Sequence, residues 1–389
     1  MNVESGVRVE RPKGRQTVST LISAIQNPAA SAGVLLHGKG KELFDVALLH
    51  DLHLLVGWTL RTAGMLDEWP PAFTDAFRTA EREAVAVDCA READLVNLLA
   101  ALDAAGVRVM PFKGAALSYT HYPAPHVRPR GDTDILVPIE DLPKTHRVLA
   151  ALGYVRPPEV SGELVSYQCH YHRRDHLGIT HTYDVHWRIS NVQSLSNRLA
   201  FDELWNGRVP VRPLGLPAVT PNAVHSLMLA LVHRAGHHHG SRRLLWLYDL
   251  HVIAAGLTAG EWIALRELSD ARSLGEIARH GLLAAQEWFG TAGADRLVSG
   301  TDRQMEDARI AAAASDRRRW SQAGVLRSDL RALPDWRARA RLLQEHLFPS
   351  VMYMRARYGV QSNVLIPALY LWRIIRGAPK WLSTRAAND

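Results

Sequence analysis

Asp132 and Asp134 stand one residue apart at the head of a short apolar run, DTDILV. In an extended strand, residues two apart share a face. Both carboxylates would then point the same way, a few ångströms from each other. Like charges that close repel unless a cation or a proton sits between them. Hard divalent ions such as Mg²⁺ favour carboxylate oxygens, with substrate phosphates completing the shell. Asp184 adds a third carboxylate from a second strand-like run. Three acidic groups suffice for two Mg²⁺ ions, a pair that activates an attacking oxygen and stabilises a leaving phosphate.

Upstream lies Lys113-Gly114, between the apolar run VRVMPF and the helix-like AAL. Glycine lets a phosphate approach the backbone, and a helix start offers free N–H donors. Lys113, Arg128 and Arg130 are placed to neutralise phosphate charge. His186 shares a strand face with Asp184, which makes it a candidate hydrogen-bond donor or phosphate contact.

The surrounding pattern predicts the elements that would hold these groups. Residues 1–15 are polar and read as loose. From Val18 to about Gly106 the pattern is helical, interrupted at Trp69-Pro70-Pro71. Leu95, Leu98, Leu99 and Leu102 recur at helical spacing before Gly106. Val107–Phe112 and Asp132–Val137 predict two strands, joined through the loop HYPAPHVRPRG. Thr145, Val148, Leu149 and Leu152 mark a helix ending at Gly153. Thr182–Ile189 alternates strictly: Tyr183, Val185, Trp187 and Ile189 apolar, Thr182, Asp184, His186 and Arg188 polar. That predicts one buried face and one wet or functional face, with a partner strand near Val165–His172. Beyond Asn191 the chain reads as helices, including a buried one over Leu244–Ile253.

The stretches VMPFKGAALSYTHYP, RPRGDTDILV and YDVHW together resemble the DNA polymerase β-type nucleotidyltransferase superfamily. More closely, they are similar to a group of largely uncharacterised bacterial nucleotidyltransferases with Lys-Gly in the first motif. The resemblance spans about residues 92–190 and continues more loosely into HRAGHHHGSRRLLWLYDLHVIA and LFPSVMYMRARYG. It implies an α+β fold, a small mixed sheet flanked by large helical regions. The expected divisions are a helical region at 1–91, the core at 92–190 and a helical domain at 191–389.

The resemblance further implies that Gly114 forms the nucleotide-phosphate turn and that Asp132 and Asp134 bind metal. Asp184 would orient or deprotonate an acceptor hydroxyl. The implied activity is Mg²⁺-dependent transfer of a nucleoside monophosphate from an NTP, ATP first, with pyrophosphate released. The acceptor would be a peptide, small molecule or sugar, in peptide or surface-polysaccharide biosynthesis. One departure stands out: the first motif is usually Gly-Gly or Gly-Ser, and here Ala115 follows Gly114. The serine contact to phosphate is missing, and Lys113 would supply the charge instead.

Composition sets the outer bounds. The chain has 389 residues, 47% hydrophobic and 22% charged, which excludes disorder, collagen and a disulfide scaffold. A formal net charge of +7 suits phosphate-rich partners, and reads as too diffuse for nucleic acid. Cys89 and Cys169 allow at most one disulfide, and a cytoplasmic location is the expectation. No run is apolar enough for a transmembrane helix. SNVLIPALYLWRIIRGAPKWL comes nearest, and reads as a packed terminal helix or an interfacial one.

Two other function classes compete. One is a non-catalytic module that binds a nucleotide or protein, which Ala115 favours. The other is a zinc hydrolase built on the abundant histidines: His233 and His237 are four apart, and His170 and His172 two apart. His233 and His237 read first as a polar helix end, and next as cleft-lining groups. Arg242 or Arg243 is expected to pair with Asp249, the functional alternative being contact of either with triphosphate, and Arg317-Arg318-Arg319 to form a solvated helix face.

Overall fold

The computed structural model describes residues 12–31, 39–160, 162–297, 304–315 and 321–382. The Arg317–Arg319 run and most of the loose N-terminal stretch lie outside them. Residues 12–15, expected to be loose, already belong to the helix Pro12–Gln26.

Trp69-Pro70-Pro71 breaks the helical run as expected, and Pro71 then starts the long helix α1, Pro71–Ala104. Proline suits a first helical position because its missing N–H would have no partner there. The leucine stripe of α1, Leu95 to Leu102, is buried beneath the sheet with Ile135, Tyr183 and Val185. Gly106 ends the run in the left-handed region, at φ 65°.

The sheet has four strands: β1 Met110–Pro111, β2 Thr133–Leu136, β3 Gln168–Arg174 and β4 Thr180–His186. Their order is β1-β2-β4-β3. β1 is antiparallel to β2, β2 parallel to β4, and β3 antiparallel to β4. The fold is therefore α+β with a small mixed sheet and helical flanks. The first predicted strand, Val107–Phe112, contracts to two residues. Pro111 has no N–H to donate, and proline is confined to sheet edges, where β1 lies. Helix α2, Lys113–Thr120, follows β1 directly, and α3, Leu142–Ala151, follows β2.

β4 keeps the predicted alternation but not the predicted wet face. Asp184 is 8% exposed and His186 1% exposed. Helix α4, Ala223–Gly236, contributes His233 to the same cleft as Asp184. Helix α5, Leu244–Ala255, is buried along Leu244, Leu247 and Leu250, as expected. A second apolar core joins these helices to the N-terminal ones, with Leu21, Leu55 and Phe73 packed in one cluster with Leu227 and Leu247. Seven more α-helices follow α5 among the described residues, and the last three are α6 Trp336–Leu347, α7 Val351–Tyr358 and α8 Ile366–Leu382. No helix among the described residues is long and apolar enough to cross a membrane. Cys89 and Cys169 are free thiols.

Candidate active site

The parallel register of β2 and β4 sets Asp134 opposite Asp184. One ligand atom each from Asp134, Asp184 and His186 lies within 4.8 Å of the other two. Asp132 sits just before β2, two residues from Asp134 and more open to solvent. Its pKa is pushed up to about 6, by burial first and then by the charges of Asp134 and Asp184. Asp132 thus feels the charges of the other two carboxylates, but it lies outside the three-donor group, where His186 takes the third place.

Each inner carboxylate has its own partners. Lys113 Nζ donates to Asp134 Oδ1 at 2.8 Å, and His186 Nε2 lies 2.7 Å from the same oxygen. Burial alone would raise the Asp134 pKa. Lys113 and then His186 outweigh it and hold the group well below the usual carboxylate range. Burial, reinforced by Lys113, keeps His186 towards its neutral form against the pull of Asp134. Gln168 Nε2 donates to Asp184 Oδ2 at 2.9 Å, and His170 Nδ1 lies 2.5 Å from Asp184 Oδ1. Asn191 Nδ2 in turn donates to Gln168 Oε1 at 3.0 Å.

The strand-to-helix turn is unusual. Lys113 has φ 51°, in the left-handed region that costs an L side chain roughly 1–2 kcal/mol. Gly114 is required for a packing reason that the sequence did not suggest. A Cβ at this position would lie 2.2 Å from Arg128 Nη1. Arg128 is buried, and it forms a two-point ion pair with Asp249 through Nε at 2.8 Å and Nη2 at 2.7 Å. Tyr122 donates to the same carboxylate at 2.7 Å. Burial works against the Arg128 charge, but Asp249 more than restores it and raises the pKa.

This pairing corrects the expected partners of Asp249. Arg242 pairs instead with Glu287, and Arg243 with Asp51. Arg130 is likewise committed: it bridges Asp88 at 2.7 Å and donates to Ser118 and Tyr119. Arg128 and Arg130 line the cleft, but as anchored charges rather than free ones.

The three aspartates, Lys113, Gln168, Arg128, Arg130 and Asp249 border one cleft of about 480 Å³, whereas His186 and His170 are not among its lining residues. His233, His237 and His238 form part of its wall. They do stand at the end of α4, with His233 in its last turn and His237 as its cap, but half-buried against the cleft rather than in open solvent. Burial drives His233 far below its usual pKa, His237 down to about 3 and His238 down to about 4. His233 Nε2 and His238 Nε2 lie 2.9 Å apart, and His238 stacks on Trp246 at 3.4 Å between centroids. None of the three belongs to the three-donor group around Asp134, whose imidazole is His186.

Sequence reasoning missed Gln168, Trp246 and Asp51 as cleft residues, and weighed His170 only for zinc. The polar alternation Gln168, His170, His172 was visible, and it is what places His170 opposite Asp184 across β3 and β4. His172 lies opposite Thr182 in the same ladder and also bridges Val155 through its backbone.

Two carboxylates and an imidazole suit a divalent cation, the carboxylates favouring hard ions and the imidazole tolerated by several metals. A search of curated proteins finds no match to this chain. The family described as "Uncharacterised nucleotidyltransferase" matches residues 39–290, from the N-terminal helices through the sheet to the helices after the cleft. This chain belongs to that family of uncharacterised nucleotidyltransferases.

Proposed function

We propose that the chain moves a nucleoside monophosphate from an NTP, with ATP the first candidate, to a hydroxyl or similar group of an acceptor. The observation that carries this reading is the parallel pairing of Asp134 with Asp184, with Asp132 two residues upstream. Asp132, Asp134 and Asp184 would hold Mg²⁺, two ions in the full complement, with His186 beside them. When bound, the metal neutralises phosphate charge and activates the acceptor oxygen.

The residues of the chain divide the remaining work. Lys113, at the turn, meets phosphate charge as an ammonium and is already desolvated beside Asp134. Asp184 orients the acceptor hydroxyl or accepts its proton. Gln168 and His170 fix its two oxygens. Arg128 and Arg130, held by Asp249 and Asp88, give the cleft a fixed positive potential without leaving their partners. Most of the catalysis in such a site comes from positioning and charge complementarity. A peptide, a small molecule or a sugar remains the acceptor class, with peptide or surface-polysaccharide biosynthesis the setting.

The test supplies ATP labelled at the α-phosphate, Mg²⁺ and panels of these acceptors, and reads label transfer together with pyrophosphate release. Transfer that needs both Mg²⁺ and acceptor supports the reading. Label transfer that proceeds equally in a chelator defeats it.

Two observations favour a second reading, a binding module without turnover. An internal ammonium neutralises Asp134, and the buried Ala115 stands where a serine would reach phosphate. Calorimetry with Mg-ATP separates the two: binding with no pyrophosphate release against any acceptor favours the module.

A further inference from the structure

The last helices carry a surface that the cleft does not use. The charge that reads as diffuse over the whole chain is in fact local. Residues 336–389 hold nine Lys and Arg against Glu345 and Asp389, which accounts for the entire formal +7. No acidic residue occurs between those two. Among the described residues, eleven of the twenty-three exposed large apolar side chains also fall between Trp336 and Ile375.

Helix α8 shows how the two features combine. It docks through the side that carries the buried Ile366 and the half-buried Tyr370 and Arg373. Tyr370 Oη donates to the Pro349 carbonyl at 2.5 Å, Arg373 Nη2 to the His346 carbonyl at 3.4 Å, and Tyr370 packs edge-on against Phe348. The opposite side presents Ala368, Leu371, Trp372 and Ile375, spaced i, i+3, i+4, i+7. Leu371, Trp372 and Ile375 are 60%, 52% and 58% exposed. An amphipathic helix ordinarily turns such a stripe inward. Here it faces solvent, with Arg376 exposed one turn beyond Trp372.

We propose that α8 is a peripheral docking surface for an anionic lipid bilayer. Tryptophan and aliphatic side chains sink to the headgroup boundary, while single-sign basic charge meets anionic headgroups. The one-signed charge favours this occupant over a protein partner, whose face would need an acidic patch of matching outline. The apolar stripe favours it over nucleic acid, which offers phosphates but no apolar layer to receive Leu371 and Ile375. The inference does not depend on the activity proposed for the cleft.

Vesicle flotation with the full-length protein tests it. The probes are phosphatidylcholine vesicles with and without phosphatidylserine at roughly one lipid in three, the kind of anionic surface that attracts basic segments. The expected result is binding to the anionic vesicles alone, weakened by added salt. Trp372→Ser with Ile375→Ser should lower partition about tenfold or more, since two apolar side chains no longer leave water. Both positions are solvent-exposed, so the melting curve should stay in place. Should it shift, Arg376→Glu on the same exposed side supplies the comparison, with weaker partition expected. The proposal is overturned by absence of binding to anionic vesicles, or by partition that these variants leave unchanged. It is also overturned by a solution dimer that the double variant dissolves without any lipid binding, or by oligonucleotide binding in place of vesicle binding.

Discussion

Asp134 on β2 and Asp184 on β4 are register partners across two parallel strands, so the backbone itself fixes the spacing of their carboxylates. Asp134→Asn and Asp184→Asn keep shape and volume while removing charge. Each should lower nucleotidyl transfer by about 100-fold or more, the scale seen when one electrostatic contact to the transition state is lost. Steady-state rates with melting curves as the folding control will show this. Turnover within a few-fold of the parent in either variant would remove that aspartate from the chemistry.

Asp132 titrates near 6 because burial and two neighbouring carboxylates disfavour its ionised form. A cation must displace the proton below that pH. Apparent Mg²⁺ affinity should therefore fall on acidification through about pH 6, by about tenfold per pH unit for one displaced proton. Asp132→Asn should bind Mg²⁺ more weakly at pH 8 and show a flatter profile. Calorimetric titrations at several pH values are the measurement.

Lys113 neutralises Asp134 at 2.8 Å. Its replacement should act in opposite directions on two ligands. Lys113→Met should strengthen divalent binding to the nucleotide-free protein and weaken NTP binding, each by about tenfold, a typical worth of a charge-assisted contact. Parallel weakening of both would mean that the lysine merely supports the fold.

Gly114→Ala drives a methyl into the Arg128 guanidinium, which a two-point pair with Asp249 prevents from yielding. Destabilisation on the order of 1–3 kcal/mol is expected, as for overpacked cores. Denaturant unfolding should resolve it. An unchanged midpoint would show that Arg128 can swing away.

His50 and His53 are buried among the N-terminal helices, and burial lowers both pKa values to about 4 from 6.5. Above pH 6.5 both states are neutral and stability is complete. Between 6.5 and about 4 the unfolded chain takes up protons that the folded chain refuses, so stability is lost as pH falls. For His53 the loss by pH 4 should approach roughly 2–3 kcal/mol. His53→Leu should flatten the decline of melting temperature over that interval. A slope identical to the parent's would contradict the assignment.

Much of this arrangement was legible in the residues. Alternation in Thr182–Ile189 announced β4, and Asp-X-Asp before an apolar run announced β2. The helical leucine spacing found α1, because periodicity reports directly on which side is buried. What escaped was set by long-range packing. Nothing near Asp249 names Arg128 as its partner, 121 residues away. Nothing in a polar strand face tells that Asp184 and His186 will both be buried. The proline that trimmed β1 was visible at Pro111, but its effect depends on which neighbour it pairs with.

The carboxylate of Asp249 has a wider bearing. It sits on a late helix yet supplies the counter-charge for a guanidinium wedged under the glycine of the first loop. Shortening the protein upstream of that helix would strand a cation in a greasy interior, an outcome that costs several kcal/mol. The sheet and the helices behind it are thus not interchangeable cassettes: grafting one onto a foreign scaffold means carrying Tyr122, Arg128 and Asp249 along as a single keystone.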